Sequence, residues 1–280
     1  MARYKIEYFS ENSYDDTVTD AVFEFNVVAC QDENQLSLIS KKSNSLNEQP
    51  FIYDNKYGFE INRIRTNKSF KTFEFSYTAM VDVEENPVPA SSLLDSKKEF
   101  ELISSNEFYI DHHLFIRKTP LTYLIELPLG CPAFIKGMSY FEYLVQLNKW
   151  VFEYLNYEKD VTTVKTKAQD LVKLKKGVCQ DFVHLFISLC RLQKLPARYV
   201  SGYINQGLNF KGDSFMHAWV EAFVPELGWV GFDPTNNLLV DYHFIKVSHG
   251  VDYSDCTPIK GVLYTNGPQA MNYKVLVAEQ

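Results

Sequence analysis

Cys179, His217 and Asp233 are the residue types from which thiol acyl chemistry is built. A cysteine sulfur attacks as its thiolate, so it needs a base to take its proton and a third group to orient that base. Cys179 follows a lysine-rich turn at 173–176 and Gly177. After it comes an apolar pattern at Phe182, Phe186, Leu189 and Cys190, which predicts a buried helix starting at the cysteine. The unpaired N–H groups and the positive dipole end of a helix start favour negative charge. A thiol there loses its proton more easily. His217 opens a strand-like run ending at Val224, and Asp233 closes a second run that starts at Trp229. Pro225, Glu226, Leu227 and Gly228 form a tight turn between them, so the runs pair antiparallel and the start of one lies beside the end of the other. His217 and Asp233 are therefore expected as cross-strand neighbours, the arrangement that a Cys–His–Asp triad requires.

The elements that would position these residues lie in the second half of the chain. Ser139 with Glu142 three residues on forms a capping box. It opens an amphipathic helix through Leu144, Leu147, Val151 and Tyr154 to about Tyr157. A weaker cap, Thr166 with Gln169, opens a short helix through Leu171 and Leu174. The cysteine helix runs to about Lys194, where Pro196 stops it, and Arg198 to Ile204 reads as a strand. The first half differs. Alternation at Tyr4, Ile6 and Tyr8, at Phe23, Phe25 and Val27, and from Phe73 to Val81 marks strands with one wet face. Turn residues separate them at 11–13, 31–34 and 54–58. The expected fold class is α+β: an antiparallel β-sandwich over 1–85, a linker over 86–105 marked by Pro87 and Pro89, and a catalytic domain over 106–280.

The composition suits a well-packed globular chain of 280 residues, 46% hydrophobic and 15% aromatic. A net charge of −7 argues against nucleic acid or an anionic membrane as the main partner. Neither an apolar run of membrane-spanning length nor a signal peptide is visible. The five cysteines, Cys30, Cys131, Cys179, Cys190 and Cys256, are scattered and never spaced as Cys-x-x-Cys. That pattern disfavours a disulfide scaffold or a zinc site and fits free thiols in a reducing cytoplasm. No cofactor, metal or calcium-ligand loop is expected.

Several other residues carry a structural reading beside a functional one. Cys190 lies about three turns along the cysteine helix in an apolar setting and reads as core. Cys30, Cys131 and Cys256 read as structural thiols, His184 as a packed histidine, and Asp181 as a cap of the helix start. Gln180 is a nearby amide donor whose direction on the helix is open. His243, His249, Asp252, Tyr253 and Asp255 read as structural, with cleft lining as the alternative. The His112–His113 pair reads as a surface or domain-junction feature on a strand, a poor metal site. Trp219 and Trp229 read as packing residues, and the glycine-containing loop 205–214 as a mobile rim.

The runs Gly177-Val178-Cys179-Gln180-Asp181-Phe182, His217-Ala218-Trp219, Gly228-Trp229-Val230 and Phe232-Asp233-Pro234-Thr235-Asn236 together resemble the bacterial transglutaminase-like superfamily, a branch of papain-related cysteine proteases. His243 to Asp255 is similar to that family's segment after the aspartate, with Val251 where an arginine is usual. The β-rich start sits where such proteins carry a transglutaminase-associated N-terminal domain. The resemblance implies that Cys179 attacks a carbonyl carbon, that His217 moves the proton, and that Asp233 holds the imidazole. The substrate would be a protein or peptide amide. Water as second acceptor makes a protease or amidase, the favoured expectation. An amine acceptor makes a cross-linking protein-glutamine acyltransferase, and a non-catalytic scaffold on the same fold is the alternative of another class.

Overall fold

The computed structural model describes the chain except residues 86–94, 209, 213–214 and 266. Six strands come first: β1 (Ala2–Val18), β2 (Ala21–Phe25), β3 (Gln35–Asn44), β4 (Phe51–Asp54), β5 (Glu60–Thr66) and β6 (Phe70–Val83). Helices α1 (Ser96–Ile103), α2 (Asn106–Ile116) and α3 (Tyr140–Tyr154) come after them. Next are β7 (Asn156–Tyr157), α4 (Ala168–Leu174), β8 (Lys176–Gly177), α5 (Cys179–Leu192) and β9 (Ala197–Ile204). The chain then forms β10 (His217–Val224), β11 (Gly228–Asp233), β12 (Leu238–Leu239), β13 (Phe244–Gly250), α6 (Tyr253–Cys256), β14 (Ile259–Leu263) and β15 (Gln269–Glu279).

Two four-stranded antiparallel sheets, ordered β15-β1-β6-β3 and β14-β2-β5-β4, make the sandwich. The period of two buries Tyr4, Ile6 and Tyr8 on one face of β1. Phe23 stacks on Phe73 at 4.2 Å and Phe25 on Phe75 at 3.8 Å. Such ring pairs contribute about 0.5–1.5 kcal/mol each beyond the area they bury. Residues 11–13, expected as a turn, lie inside β1. Ser10 and Asn12 continue its buried face, and pairing with β6 and β15 on both sides overrides their turn-like composition.

The sandwich is completed from the far end of the chain. Tyr4 to Tyr14 of β1 pair with Glu279 to Gln269 of β15, and β14 pairs with β2. The expected catalytic domain of 106–280 therefore yields its last two strands to the sandwich. Alternation reports that a strand is half-buried; it carries no information on which sheet the strand joins. The linker also differs. Residues 86–94 lie outside the described residues, and 96–103 form α1, with the Asp95 carboxylate accepting from the Lys97 N–H at 3.0 Å. Glu99 of that helix is buried and accepts from the Tyr140 N–H at 2.8 Å.

The second half is built on a five-stranded antiparallel sheet, β12-β11-β10-β9-β13, with α5 across it. Phe182, Phe186 and Leu189 of α5 share one core with Ala218, Val220 and Ala222 of β10 and with Leu144, Leu147 and Val151 of α3. Helix α3 begins as expected: Ser139 Oγ accepts from the Glu142 N–H, a cap of about 1 kcal/mol. It stops at Tyr154, and Asn156–Tyr157 instead pairs in parallel with Lys176–Gly177, ahead of Cys179. The Thr166–Gln169 cap is not formed. Thr166 Oγ1 accepts from the Thr163 N–H and Gln169 Oε1 from the Ile125 N–H, so α4 starts at Ala168 without a side-chain cap. His112 and His113 lie on α2 rather than on a strand, and His112 packs on Phe108 and Phe223.

The two halves share a continuous packing surface. Tyr203, Ile245 and Val247 of the five-stranded sheet belong to the sandwich core. Gln35 clamps the Lys246 backbone, donating to its carbonyl at 2.9 Å and accepting from its N–H at 2.8 Å. Asn26 Nδ2 donates to Ser248 Oγ at 3.0 Å.

Candidate active site

The start of α5 is fixed from three residues into the helix. Val178, at the N-cap, has no side-chain acceptor. Asp181 supplies one: its Oδ2 accepts from the Val178 N–H at 2.8 Å and from the Thr162 hydroxyl at 2.6 Å. Burial pushes the Asp181 carboxyl above its ordinary range, while these two donors pull the other way. A Cβ on Gly177 would lie 2.5 Å from Asp181 Oδ2, so a glycine must precede the cap. Asp181 thus caps, as its sequence position implies. Cys179 is the first residue of the helix and is partly exposed. Its N–H, in the first turn, has no backbone partner among the described residues.

His217 and Asp233 are both buried, and Nε2 of the ring lies 2.9 Å from Asp233 Oδ2. Extending the β10–β11 register places Asp233 opposite Trp219, so the pair is diagonal rather than directly opposed. Asp233 is an acceptor throughout. Its Oδ1 accepts from the N–H groups of Thr235 at 2.9 Å and Asn236 at 3.3 Å, and its Oδ2 also accepts from Asn236 Nδ2 at 2.8 Å. Nε2 must therefore carry a proton in either charge state of the ring, and the exchangeable proton sits on Nδ1. Nδ1 is buried and makes no full-geometry hydrogen bond among the described residues. The Cys179 thiol is nevertheless near enough to help raise the pKa of the ring. Burial alone would push the imidazole pKa down; Asp233 and then Cys179 outweigh it and raise it to about 10.

Cys179 opens into a cleft of about 430 Å³ whose lining includes Tyr157, Val164, Phe215, Met216 and Tyr273. Gly212 sits beside His217 with φ +88, and a Cβ there would come within 2.9 Å of Nδ1. The glycine of this loop is thus required by the space the ring needs. Its signal in sequence is only a Lys-Gly-Asp turn before the histidine. Asn236 closes the Phe232–Asn236 motif, where its residue type alone assigns it no role; in space it holds Asp233. Tyr273 has no sequence signal, because β15 reaches the cleft only through the sandwich.

The remaining candidates separate. Gln180 lines the cleft beside Cys179. His184 is buried, its Nε2 accepts from the Tyr253 N–H at 3.3 Å, and burial pushes its pKa down to about 4. It is a packed neutral histidine. Asp255 binds the Tyr57 hydroxyl at 2.8 Å and Lys56 at 2.9 Å at the junction with the sandwich. His243 pairs with Asp241, and His249 lies beside Arg198. Val251, standing where an arginine is usual, is contacted through its carbonyl by Arg191 of α5. The buried Arg191 guanidinium donates to the Val251 carbonyl at 2.6 Å and to those of Ala197 and Phe115. Trp219 is buried against Phe244. Trp229 is half-buried with the Arg198 guanidinium 4.0 Å over its ring. Among the described residues, no cluster of three or more His, Cys, Asp or Glu side chains could hold a metal ion.

Residues 135–234, which include Cys179, His217 and Asp233, match the Transglutaminase-like superfamily. An uncharacterized protein of Mycobacterium tuberculosis is 33% identical over 151 residues, covering 51% of this chain and 48% of that protein. The chain spans about half the length of the curated relatives it matches. A protein-glutamine gamma-glutamyltransferase of Pseudomonas aeruginosa is 35% identical over 71 residues, 23% of this chain and 11% of that enzyme. The fold as a whole is shared with a candidate cysteine protease from Cytophaga hutchinsonii: TM-score 0.78 at 24% identity, over 99% of this chain and 90% of that one. Residues 135–234 are thus a transglutaminase-like domain, set in a chain whose sandwich and sheet share the plan of that structure.

Proposed function

We propose that this transglutaminase-like chain is a cysteine amidase or protease that works through a thioester on Cys179. The observation that carries the reading is the buried imidazole of His217, held by Asp233 on Nε2 and raised to about 10 with Cys179 as its other partner. Such an environment favours the imidazolium; in this mechanism the proton it carries has come from the Cys179 thiol, which reacts as the thiolate. The thiolate attacks the amide carbonyl carbon, and the S–C bond forms as the carbonyl oxygen takes the charge. The Cys179 N–H, free at the helix start, stabilises that oxygen. His217 then passes its Nδ1 proton to the amine as the C–N bond breaks. Once sulfur is acylated its charge is gone, and the part of the raised pKa that came from Cys179 goes with it. The imidazolium therefore becomes a better acid when a proton must leave. Water, deprotonated by Nδ1, attacks the thioester carbonyl carbon; the C–S bond then breaks, the acid is freed, and the Cys179 sulfur leaves as thiolate beside the protonated ring.

Hydrolysis is favoured because the mouth of the cleft carries exposed Lys159, Asp160 and Thr163, which leave a path for water. Transfer to an amine is the second reading, supported by the similarity to a glutamine acyltransferase. The substrate is a protein or peptide amide in either case. Iodoacetamide labelling read by mass spectrometry tests the nucleophile with internal controls. Cys30 and Cys131 have thiols that burial pushes up to about 12. Cys179 should label far faster than either at neutral pH, and equal rates would sink the assignment. A peptide library incubated with and without a lysine-like amine then separates hydrolysis from transfer by product mass.

A further inference from the structure

The last strand of the chain builds part of the cleft. Val275 and Val277 of β15 are buried in the sandwich core. Tyr273, two residues before Val275, continues the same face of the strand. It runs past the end of that core and into the wall beside Cys179. There it meets the Phe215 ring edge-on at 5.2 Å. The Lys159 ammonium also lies over the Phe215 ring, 4.8 Å from its centre. The strand is tied to the catalytic half close by: Gln206 Nε2 donates to the Val275 carbonyl at 2.9 Å. Tyr273 is 39% exposed, and its phenol is pushed up to about 12 by partial burial and then by nearby Cys179. The two rings themselves are therefore neutral at neutral pH, and the strand that carries Tyr273 is anchored by the sandwich core and by Gln206.

Given the thioester reading above, on which this inference rests, we propose that Tyr273 and Phe215 form a specificity wall. It selects an acyl donor with an aromatic or large apolar side chain next to the scissile carbonyl. The sandwich is then a structural part of the substrate site through β15. Buried apolar area drives this selection, since a bulky side chain laid against two rings removes both faces from water.

The test uses the full chain and two chloromethyl ketones, N-acylphenylalanyl and N-acetylglycyl. Each alkylates Cys179 as sulfur displaces chloride. Rates are read by mass spectrometry and divided by each reagent's rate with free cysteine. The wild type should favour the phenylalanyl reagent by roughly 10-fold or more, as expected for one side chain in an apolar site. Tyr273→Phe should keep that preference. Tyr273→Ala and Phe215→Ala should each cut it to within about 3-fold of unity, a loss of the order of one side-chain contact. Iodoacetamide, too small to need the wall, should label Cys179 at the same rate in all four proteins. An unchanged preference in Tyr273→Ala overturns the proposal, as does a wild type without preference but with fast iodoacetamide labelling. Slow iodoacetamide labelling of wild-type Cys179 would instead overturn the nucleophile assignment, and the wall's role with it.

Discussion

His217 and His249 sit on the same five-stranded sheet, and burial acts on both, yet their protons answer to opposite neighbours. His217 lies between the Asp233 carboxylate and the Cys179 thiol, and its pKa is raised to about 10. His249 lies beside a cationic cluster. Arg198 and Lys246 both hold Glu221, at 2.6 and 2.8 Å, and Arg198 Nη1 is 3.2 Å from His249 Nε2. Burial first, then Lys246 and Arg198, pushes His249 down to about 3. A buried imidazole takes the charge its partners permit. An anionic setting makes a proton store beside a thiol; a cationic one makes a neutral acceptor that braces a guanidinium.

The largest effects should come from breaking the anionic setting. Cys179→Ala should abolish amide turnover with the fold retained, since the side chain is partly exposed and loses only its sulfur. Asp233→Asn removes the charge that holds His217 and should lower kcat/KM by roughly 10³–10⁴-fold, leaving residual activity through a mis-set imidazole. An NMR titration should then show the His217 pKa well below its wild-type position. Full activity in either variant, or an unmoved titration in Asp233→Asn, would contradict the assignment.

Breaking the cationic setting should act on stability. Glu221 is held down to about 2: burial would raise it, but Lys246 and Arg198 prevail. Glu221→Gln leaves two cations facing each other with their shared carboxylate gone. It should cost about 3–5 kcal/mol in urea unfolding, as for other buried pairs stripped of one partner. Thiol labelling of Cys179 in the folded protein should change little. A comparable loss of labelling rate would mean that the two regions are not separate.

The two settings also predict opposite limbs of a pH–stability curve. His217 has a folded pKa above its ordinary 6.5, so its contribution is complete below pH 6.5 and is lost as pH rises towards about 10. His249 binds its proton more readily in the unfolded chain. Its contribution is therefore present above 6.5 and is lost as pH falls towards about 3. Glu221 adds to the acid limb, from 4.5 down to about 2. Urea midpoints should therefore fall on both sides of neutrality. His249→Asn should flatten the acid limb and leave the alkaline one in place.

Sequence exposes the anionic setting and hides the cationic one. Cys179, His217 and Asp233 stand at the ends of three elements, where helix and strand periodicity can be read, and a short turn fixes two of them together. Arg198, Glu221, Lys246 and His249 come from three strands, β9, β10 and β13, whose order in the sheet no local pattern records. The same limit hides β14 and β15. Their alternation is legible, but their pairing with β2 and β1 is settled by long-range packing. Tyr273 reaches the cleft unannounced for that reason. The turn expected at 11–13 fails in the opposite sense, because two neighbouring strands decide the backbone there and local composition does not.

The smallest predicted effect probes why His217 has room to work. His249 Nδ1 is enclosed, but His217 Nδ1 faces a glycine. At Gly212 the backbone has φ +88, and an added Cβ would sit 2.9 Å from Nδ1. The imidazole cannot retreat, because Nε2 is bound to Asp233. Gly212→Ala should therefore displace the loop or tilt the ring, and a shift of a fraction of an ångström should cost roughly 10-fold in kcat/KM. The left-handed backbone should add about 1 kcal/mol of destabilisation. Gly207, in the same loop, is the control: its nearest contact for a Cβ is Asn205 Oδ1 at 3.6 Å, an ordinary distance. Gly207→Ala should leave kcat/KM within about twofold, as surface changes away from special features do. If both alanines were equally harmless, the space beside Nδ1 would not limit the reaction. If both were equally damaging, the loop as a whole would matter rather than its fit against His217.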